Sequence, residues 1–223
     1  MKITRKQLRK LIMESIVHPK MEMLIKRFMS HPNLFIGVEG TDDFRIQMYD
    51  RGKSDKGYFG GPLVVGRVDI TQYIPDRCLG AYIVTGKSIM DANYNLGPVL
   101  YDIALELAGE KGLMSDREDV SSDAFNLWHK YLTMRDDVSW SQLDDWKEKW
   151  TPDIIDDCDL HISKVRYASE RRSHIRRPGT RHKYNDYKKW ATETYEDPLS
   201  KVFYKKTTPI IDMLKIQKRI EFK

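Results

Sequence analysis

The stretch Leu79–Ala108, LGAYIVTGKSIMDANYNLGPVLYDIALELA, decides how the rest of the chain is read. Leu79–Thr85 is short, apolar and rich in branched or aromatic side chains, the composition of a buried strand. Asp91–Gly97 has the Asn, Tyr and Gly of a loop. Pro98 stands where a first helical turn begins, and its missing N–H costs nothing there. Val99, Leu100, Ile103, Ala104 and Leu107 then recur as one apolar helical face. A loop that ends in Gly and opens a helix leaves backbone N–H groups free at the positive end of the helix dipole, a place suited to phosphate. The same pattern also reads as an ordinary strand-to-helix crossover with no ligand.

Upstream, Met21, Leu24, Ile25 and Phe28 predict an amphipathic helix that stops near His31-Pro32. Leu34–Val38 and Phe44–Tyr49 read as strands joined by a turn at Glu39–Asp43. Arg51–Gly61, with four glycines, reads as a loop, and Leu63–Ile70 as a third strand. Downstream, Gly109–Gly112 breaks the helix and Leu113-Met114 is a very short apolar piece. Ser121 or Ser122 caps a further helix whose inner face is Ala124, Leu127, Trp128, Tyr131 and Leu132. Trp140, Leu143, Trp146 and Trp150 form an aromatic stripe at helical spacing, the mark of core or of a domain seam. Val202–Tyr204 reads as a strand. Pro209 starts a last helix with Ile210, Ile211, Leu214 and Ile216 partly buried.

Charge divides the chain. Of 223 residues, 38 are Lys or Arg and 33 Asp or Glu, so the net charge is only +5, yet its distribution is uneven. Residues 1–15 read as a basic amphipathic helix. Residues 136–159 are acidic, and residues 164–183 are strongly basic, interleaving Arg171, Arg172, Arg176, Arg177 and Arg181 with His174, His182 and Tyr184. That mixture suits phosphate and stacking contacts with nucleic acid; internal pairing with the acidic stretch is the plainer reading. No apolar run approaches the ~20 residues of a membrane span. Cys78 and Cys158 lie far apart in unlike surroundings, so no disulfide is expected, and a reducing compartment or a virion interior fits. Cys158, His161, His174 and His182 match no zinc-finger spacing, so no metal is expected. Nucleophile-elbow, Walker-loop and His-Glu-x-x-His motifs are absent from the sequence.

The order helix, three hairpin-linked strands, buried strand, Gly loop, helix, further helix resembles the GNAT superfamily of N-acetyltransferases. Asn93-Tyr94-Asn95-Leu96-Gly97-Pro98-Val99-Leu100 stands where that family has its Gln/Arg-x-x-Gly-x-Gly/Ala loop. Gly97 and the aliphatic helix match, and Asn93 is nearest to the family's Gln. Ser121–Trp128 stands where the family has Asn-x-x-Ala-x-x-x-Tyr: Ala124 matches, Ser121 replaces Asn and Trp128 replaces Tyr. Gly97–Asp102, Asp116-Arg117, Val120-Ser121 and Ala124…Trp128…Tyr131 further resemble a set of GNAT-like proteins of tailed phages. The resemblance spans roughly residues 34–138.

The resemblance implies an α+β fold: a mixed, mostly antiparallel central sheet flanked by helices (residues 16–138), followed by a helical or irregular C-terminal extension (139–223). It implies acetyl-coenzyme A between splayed fourth and fifth strands, held by Ile83, Val84, Asn93, Asn95, Gly97 and Val99. It implies direct attack of an amine-bearing small molecule or protein on the thioester. Asp69 is then a candidate base, a strand N–H near Val84 the oxyanion donor, and Tyr131, one turn beyond Trp128, the acid for the departing thiolate. Ile12-Met13-Glu14-Ser15 resembles the cleavage site of prohead proteases in T-even-like phages, which implies that residues 1–15 are a head-targeting peptide and that the protein resides in the host cytoplasm or inside the virion. Two functions follow: an acyl-coenzyme A-dependent N-acyltransferase, or a GNAT-like scaffold without turnover that serves a virion or nucleic acid through the basic segment.

Overall fold

A computed structural model describes residues 18–54, 62–117, 120–145, 151–160 and 197–223, with the backbone alone for 86–90. Helix α1 (Pro19–Ser30) buries Met21, Ile25 and Phe28, the face its periodicity predicts, and the His18 side chain accepts from the Lys20 N–H at its start. Strands β1 (Leu34–Glu39) and β2 (Phe44–Ser54) pair antiparallel across the expected turn. β2 continues to Ser54, so Arg51–Ser54 is strand where a loop was expected. β3 (Pro62–Gln72) and β4 (Tyr82–Met90) extend the meander. β4 starts at Tyr82 rather than Leu79, because Cys78, Leu79 and Gly80 have φ of 51°, 58° and 64° and form a left-handed turn instead.

Helix α2 (Gly97–Ala108) returns the chain to β5 (Leu113–Met114), which runs parallel to β4. Helix α3 (Ser122–Thr133) follows, its Ser121 cap accepting from the Ala124 N–H. Then come β6 (Ser139–Gln142), β7 (Asp144–Asp145), β8 (Asp157–Cys158), β9 (Lys201–Tyr204), helix α4 (Pro209–Ile216) and β10 (Ile220–Phe222). The aromatic stripe is therefore not helical where it is described. Trp140 is 44% exposed on an edge strand while Leu143 is fully buried; Trp146 and Trp150 lie outside the described residues.

Eight strands form one mixed, mostly antiparallel sheet in the order β10-β1-β2-β3-β4-β5-β9-β6, and β7 pairs with β8 in a separate parallel ribbon. Only β1–β10 and β4–β5 are parallel within the large sheet. Residues after 138 supply three of the eight strands, β6, β9 and β10, so their described parts complete the sheet at both edges. All four described helices bury side chains in one core with Ile36, Ile46, Val68, Val84 and Phe203 from the sheet, which places them together on one face. On the other face a smaller core joins Ile83, Met114 and Val202 to Leu143, Cys158 and Leu160.

Helix α2 is the centre of the helical layer. It is buried on nearly every side, including Tyr101, Asp102 and Glu106, whereas one apolar face was expected. Each fully buried aliphatic side chain on it contributes roughly 1.5–3 kcal/mol; each buried carboxylate demands a partner.

Candidate functional site

β4 and β5 meet over two residue pairs only, Tyr82–Leu113 and Ile83–Met114. Beyond Ile83, β4 continues to Met90 against β3 alone, since β5 ends at Met114. The two strands thus form a fork, with Val84 the first β4 residue past the last pair. Ile83 and Val84 are both buried, Ile83 against the smaller core and Val84 against the larger.

The loop after β4 is shaped by its own side chains. Asp91 accepts from the Asn93 N–H (2.9 Å) and from Asn93 Nδ2 (2.8 Å), so the Asn93 amide turns back onto the loop. Tyr94 points inward: its hydroxyl donates to Asp50 Oδ2 (2.6 Å) and accepts from Lys53 Nζ (2.9 Å). Asp50 in turn accepts from the Gly52 N–H (2.8 Å). Burial and then the Asp50 carboxylate push the Tyr94 phenol up, while the bond from Tyr94 holds the Asp50 carboxyl below its usual value. Asn95 takes φ 50°, a left-handed conformation that Asn tolerates better than most residues. No side chain caps α2; Val99 N–H reaches Leu96 O (3.0 Å). Val99 itself is fully buried, so what it presents to the loop side is backbone. Beside the loop, His31, Asn33, Asp50, Lys53, Asn93 and Tyr94 line an open cavity of about 320 Å³.

Tyr131 lies in the interior. It is 1% exposed, packed edge-on to Trp128 and against Phe203, and its hydroxyl donates to Asp102 Oδ1 (2.7 Å). Burial and then Asp102 push its phenol well above the usual value. Trp128 is equally buried and stacks on Phe203. Asp102 also accepts from Arg135 Nη1 (3.0 Å) and Nη2 (2.8 Å) and from Lys205 Nζ (3.2 Å). Burial would raise the Asp102 carboxyl, but Lys205 and Arg135 outweigh it and hold it below the usual range. Arg135 is shared with Asp137, at 2.6 and 2.7 Å. Glu106 accepts from Lys205 Nζ (2.7 Å) and from the Ile210 (3.1 Å) and Ile211 (2.9 Å) N–H groups, so it caps α4 from below. Burial pushes the Glu106 carboxyl up to about 7.

Asp69 stands elsewhere. It alternates with Val68 and Ile70, which face the helices, and so projects from the opposite face of the sheet. Arg67 Nε donates to both its oxygens (2.9 Å each), and Arg45 Nε lies 3.5 Å away. Tyr131 and Asp69 are therefore on opposite sides of the sheet.

Arg171, Arg172, Arg176, Arg177 and Arg181 lie outside the described residues, as do residues 1–15 and the three histidines of the zinc set. The expectation for the cysteines is corrected: Cys78 and Cys158 are bonded, with Cα atoms 4.7 Å apart, because the turn before β4 and strand β8 meet in the smaller core. The acidic stretch folds back so that carboxylate oxygens of Asp144, Asp156 and Asp157 lie within 4.8 Å of one another, a metal-compatible grouping that the sequence reading did not single out. Arg117 is buried beyond β5 with its Nε on Ser115 O (3.0 Å) and its Nη1 without a hydrogen-bond partner among the described residues. Among the described residues no helix is long and apolar enough to cross a membrane. No known family model, curated protein or solved structure matches this chain.

Proposed function

We propose that the chain is a GNAT-like protein that takes acyl-coenzyme A in the β4–β5 fork and passes the acyl group to an amine. The observation that carries this reading is the two-pair parallel contact between β4 and β5, with α2 crossing between them and β9 inserted between β5 and β6. Pairing of β4 with β5 ends at Ile83–Met114, so the β4 edge beyond Val84 is where a thioester arm would lie, and the uncapped start of α2 at Gly97 offers N–H groups to a pyrophosphate. Asn95 and Gly97 contribute backbone, not side-chain chemistry. The amine attacks the thioester carbon, its proton passing to water or a carboxylate, and the thiolate leaves with a proton.

Tyr131 is a poor acid where it stands, because its proton is committed to Asp102 and its pKa is raised. That observation favours a second reading, a GNAT-like scaffold without turnover that serves a phage particle or nucleic acid through the basic segment. Calorimetric titration with acetyl-coenzyme A tests the first reading, and absence of heat and of thermal shift at millimolar ligand defeats it. Thiol release from acetyl-coenzyme A across a panel of amines then separates them. If turnover occurs, Tyr131→Phe distinguishes a proton donor, with roughly a 100-fold loss of kcat, from an internal hydrogen-bond donor, with kcat unchanged.

A further inference from the structure

The left-handed turn Cys78–Gly80 and the β7–β8 ribbon hold each other in place. Three successive residues with φ between 51° and 64° are costly when two of them carry side chains. Within its own segment the turn has Gly80 N–H on Arg77 O (2.8 Å), Ala81 N–H on Cys78 O (3.1 Å) and Gln72 Nε2 on Gly80 O (3.3 Å). On the ribbon side the Leu79 N–H donates to Ile155 O (2.6 Å), between β7 and β8, and Cys78 is bonded to Cys158.

The ribbon is short. It consists of two residue pairs, Asp144–Asp157 and Asp145–Cys158, with the Asp144 N–H on Asp156 O (2.8 Å) and the Thr151 N–H on Asp144 Oδ2 (2.8 Å) inside it. Its apolar anchorage is small, Leu143, Cys158 and Leu160 lying on Ile83, Met114 and Val202. A covalent link across 80 residues of chain removes much of the freedom that the undocked ribbon would regain.

We propose that the Cys78–Cys158 bond is an oxidation-dependent clamp: the β7–β8 ribbon stays docked on the reverse face of β4, β5 and β9 when the bond is formed and leaves it when the cysteines are reduced. Closing the clamp joins two thiols, which give up two protons and two electrons to a thiol–disulfide oxidant; opening it consumes one equivalent of a dithiol or phosphine reductant. Both cysteines are buried, 1% and 2% exposed, so reduction passes through ribbon opening and is slow in the native protein. Undocking uncovers Ile83, Met114 and Val202. Because Ile83 and Met114 are also the last pair of the fork, the clamp reaches the proposed acyl-coenzyme A cleft; that final link rests on the acyltransferase reading, and the clamp itself does not.

The experiment uses the full chain, purified in the presence of N-ethylmaleimide. Intact mass is measured before and after reduction, and hydrogen exchange is measured on the oxidised protein, the reduced protein and the Cys78→Ser/Cys158→Ser variant. The expected result is no maleimide adduct until reduction. Exchange in peptides covering Leu79–Ala81, Asp144–Asp145 and Asp157–Cys158 should then accelerate by about tenfold or more, with α2 still protected. The variant should match the reduced protein, and reoxidation of the wild type should restore protection, which guards against a variant that simply fails to fold. Thiols that stay free after treatment with a disulfide oxidant, or equal ribbon exchange in both redox states, overturn the clamp. Global loss of α2 protection on reduction overturns it too, because the bond would then support the whole fold. If the clamp behaves as expected but neither state takes up acetyl-coenzyme A, the functional reading fails and the clamp stands.

Discussion

Replacing Lys205 by Met tests the internal charge cluster most directly. Lys205 is 3% exposed and places its ammonium 2.7 Å from Glu106 and 3.2 Å from Asp102. With Arg135 it supplies two cations against the carboxylates of Asp102, Glu106 and Asp137. The variant leaves one cation for three carboxylates. Asp102 keeps Arg135 and Tyr131; Glu106 keeps only the two N–H groups of α4. Removing one partner of a buried pair costs about 3–5 kcal/mol. The low end applies here, because Glu106 already sits at about 7 and escapes part of the penalty by taking up a proton.

We expect a loss of about 3 kcal/mol at pH 7, or roughly 6–12 °C in Tm, read by urea and thermal unfolding. The pH dependence carries a definite sign. The folded-state value for Glu106 lies above the ordinary 4.5, so its contribution is fully present below about 4.5 and is lost as pH rises through about 7. In the wild type this amounts to at most about 3 kcal/mol. In the Lys205→Met variant the carboxyl rises further, so the decline, still set by one proton, is larger in total and extends to higher pH. Adding Glu106→Gln removes the surplus charge while keeping an amide oxygen for α4, and should recover about 1–2 kcal/mol of the loss at pH 7. A single variant within 1 kcal/mol of wild type, or a double variant that is worse by the simple sum, would refute this account.

The remaining predictions concern the loop and a strand crossing. Tyr94→Phe removes a bond to buried Asp50 and should cost about 1–3 kcal/mol in urea unfolding. It should also weaken acetyl-coenzyme A binding in calorimetry if the loop's conformation matters to the ligand. Gly112→Ala combines φ 76° with a methyl that runs into Val202 and Tyr204. We expect a loss of about 2 kcal/mol or more, and a variant as stable as wild type would show that β9 can retreat there.

What the sequence disclosed depended on the range of the signal. The 34–49 hairpin and α1 were legible because alternation and helical period act over a few residues. Helix α2 was legible as a helix but not as an internal one. Asp102 and Glu106 resemble solvent-side charges until Arg135 and Lys205, 33 and 99 residues further on, are seen beside them. Strand β6 was misread because four residues show too little alternation to compete with four apolar side chains at helical spacing. The Cys78–Cys158 pairing left no local trace, since its partners are brought together by β4 and the ribbon rather than by spacing. Gly97 was legible as the place where the loop ends and α2 begins. Tyr131 was placed on the right helix face, but whether that face looks onto a cleft or a core is decided by Asp102 and Phe203.

The central position of α2 has a kinetic corollary. During synthesis the helix precedes Lys205 by about a hundred residues, and until that lysine arrives Glu106 has no cation to accompany it out of water. Early collapse around α2 is thereby discouraged, and docking of α4 becomes the step that commits the chain. Folding should be limited by this late closure, so Lys205→Met should slow refolding rather than merely hasten unfolding; an unchanged folding limb in a chevron plot would place the closure after the barrier.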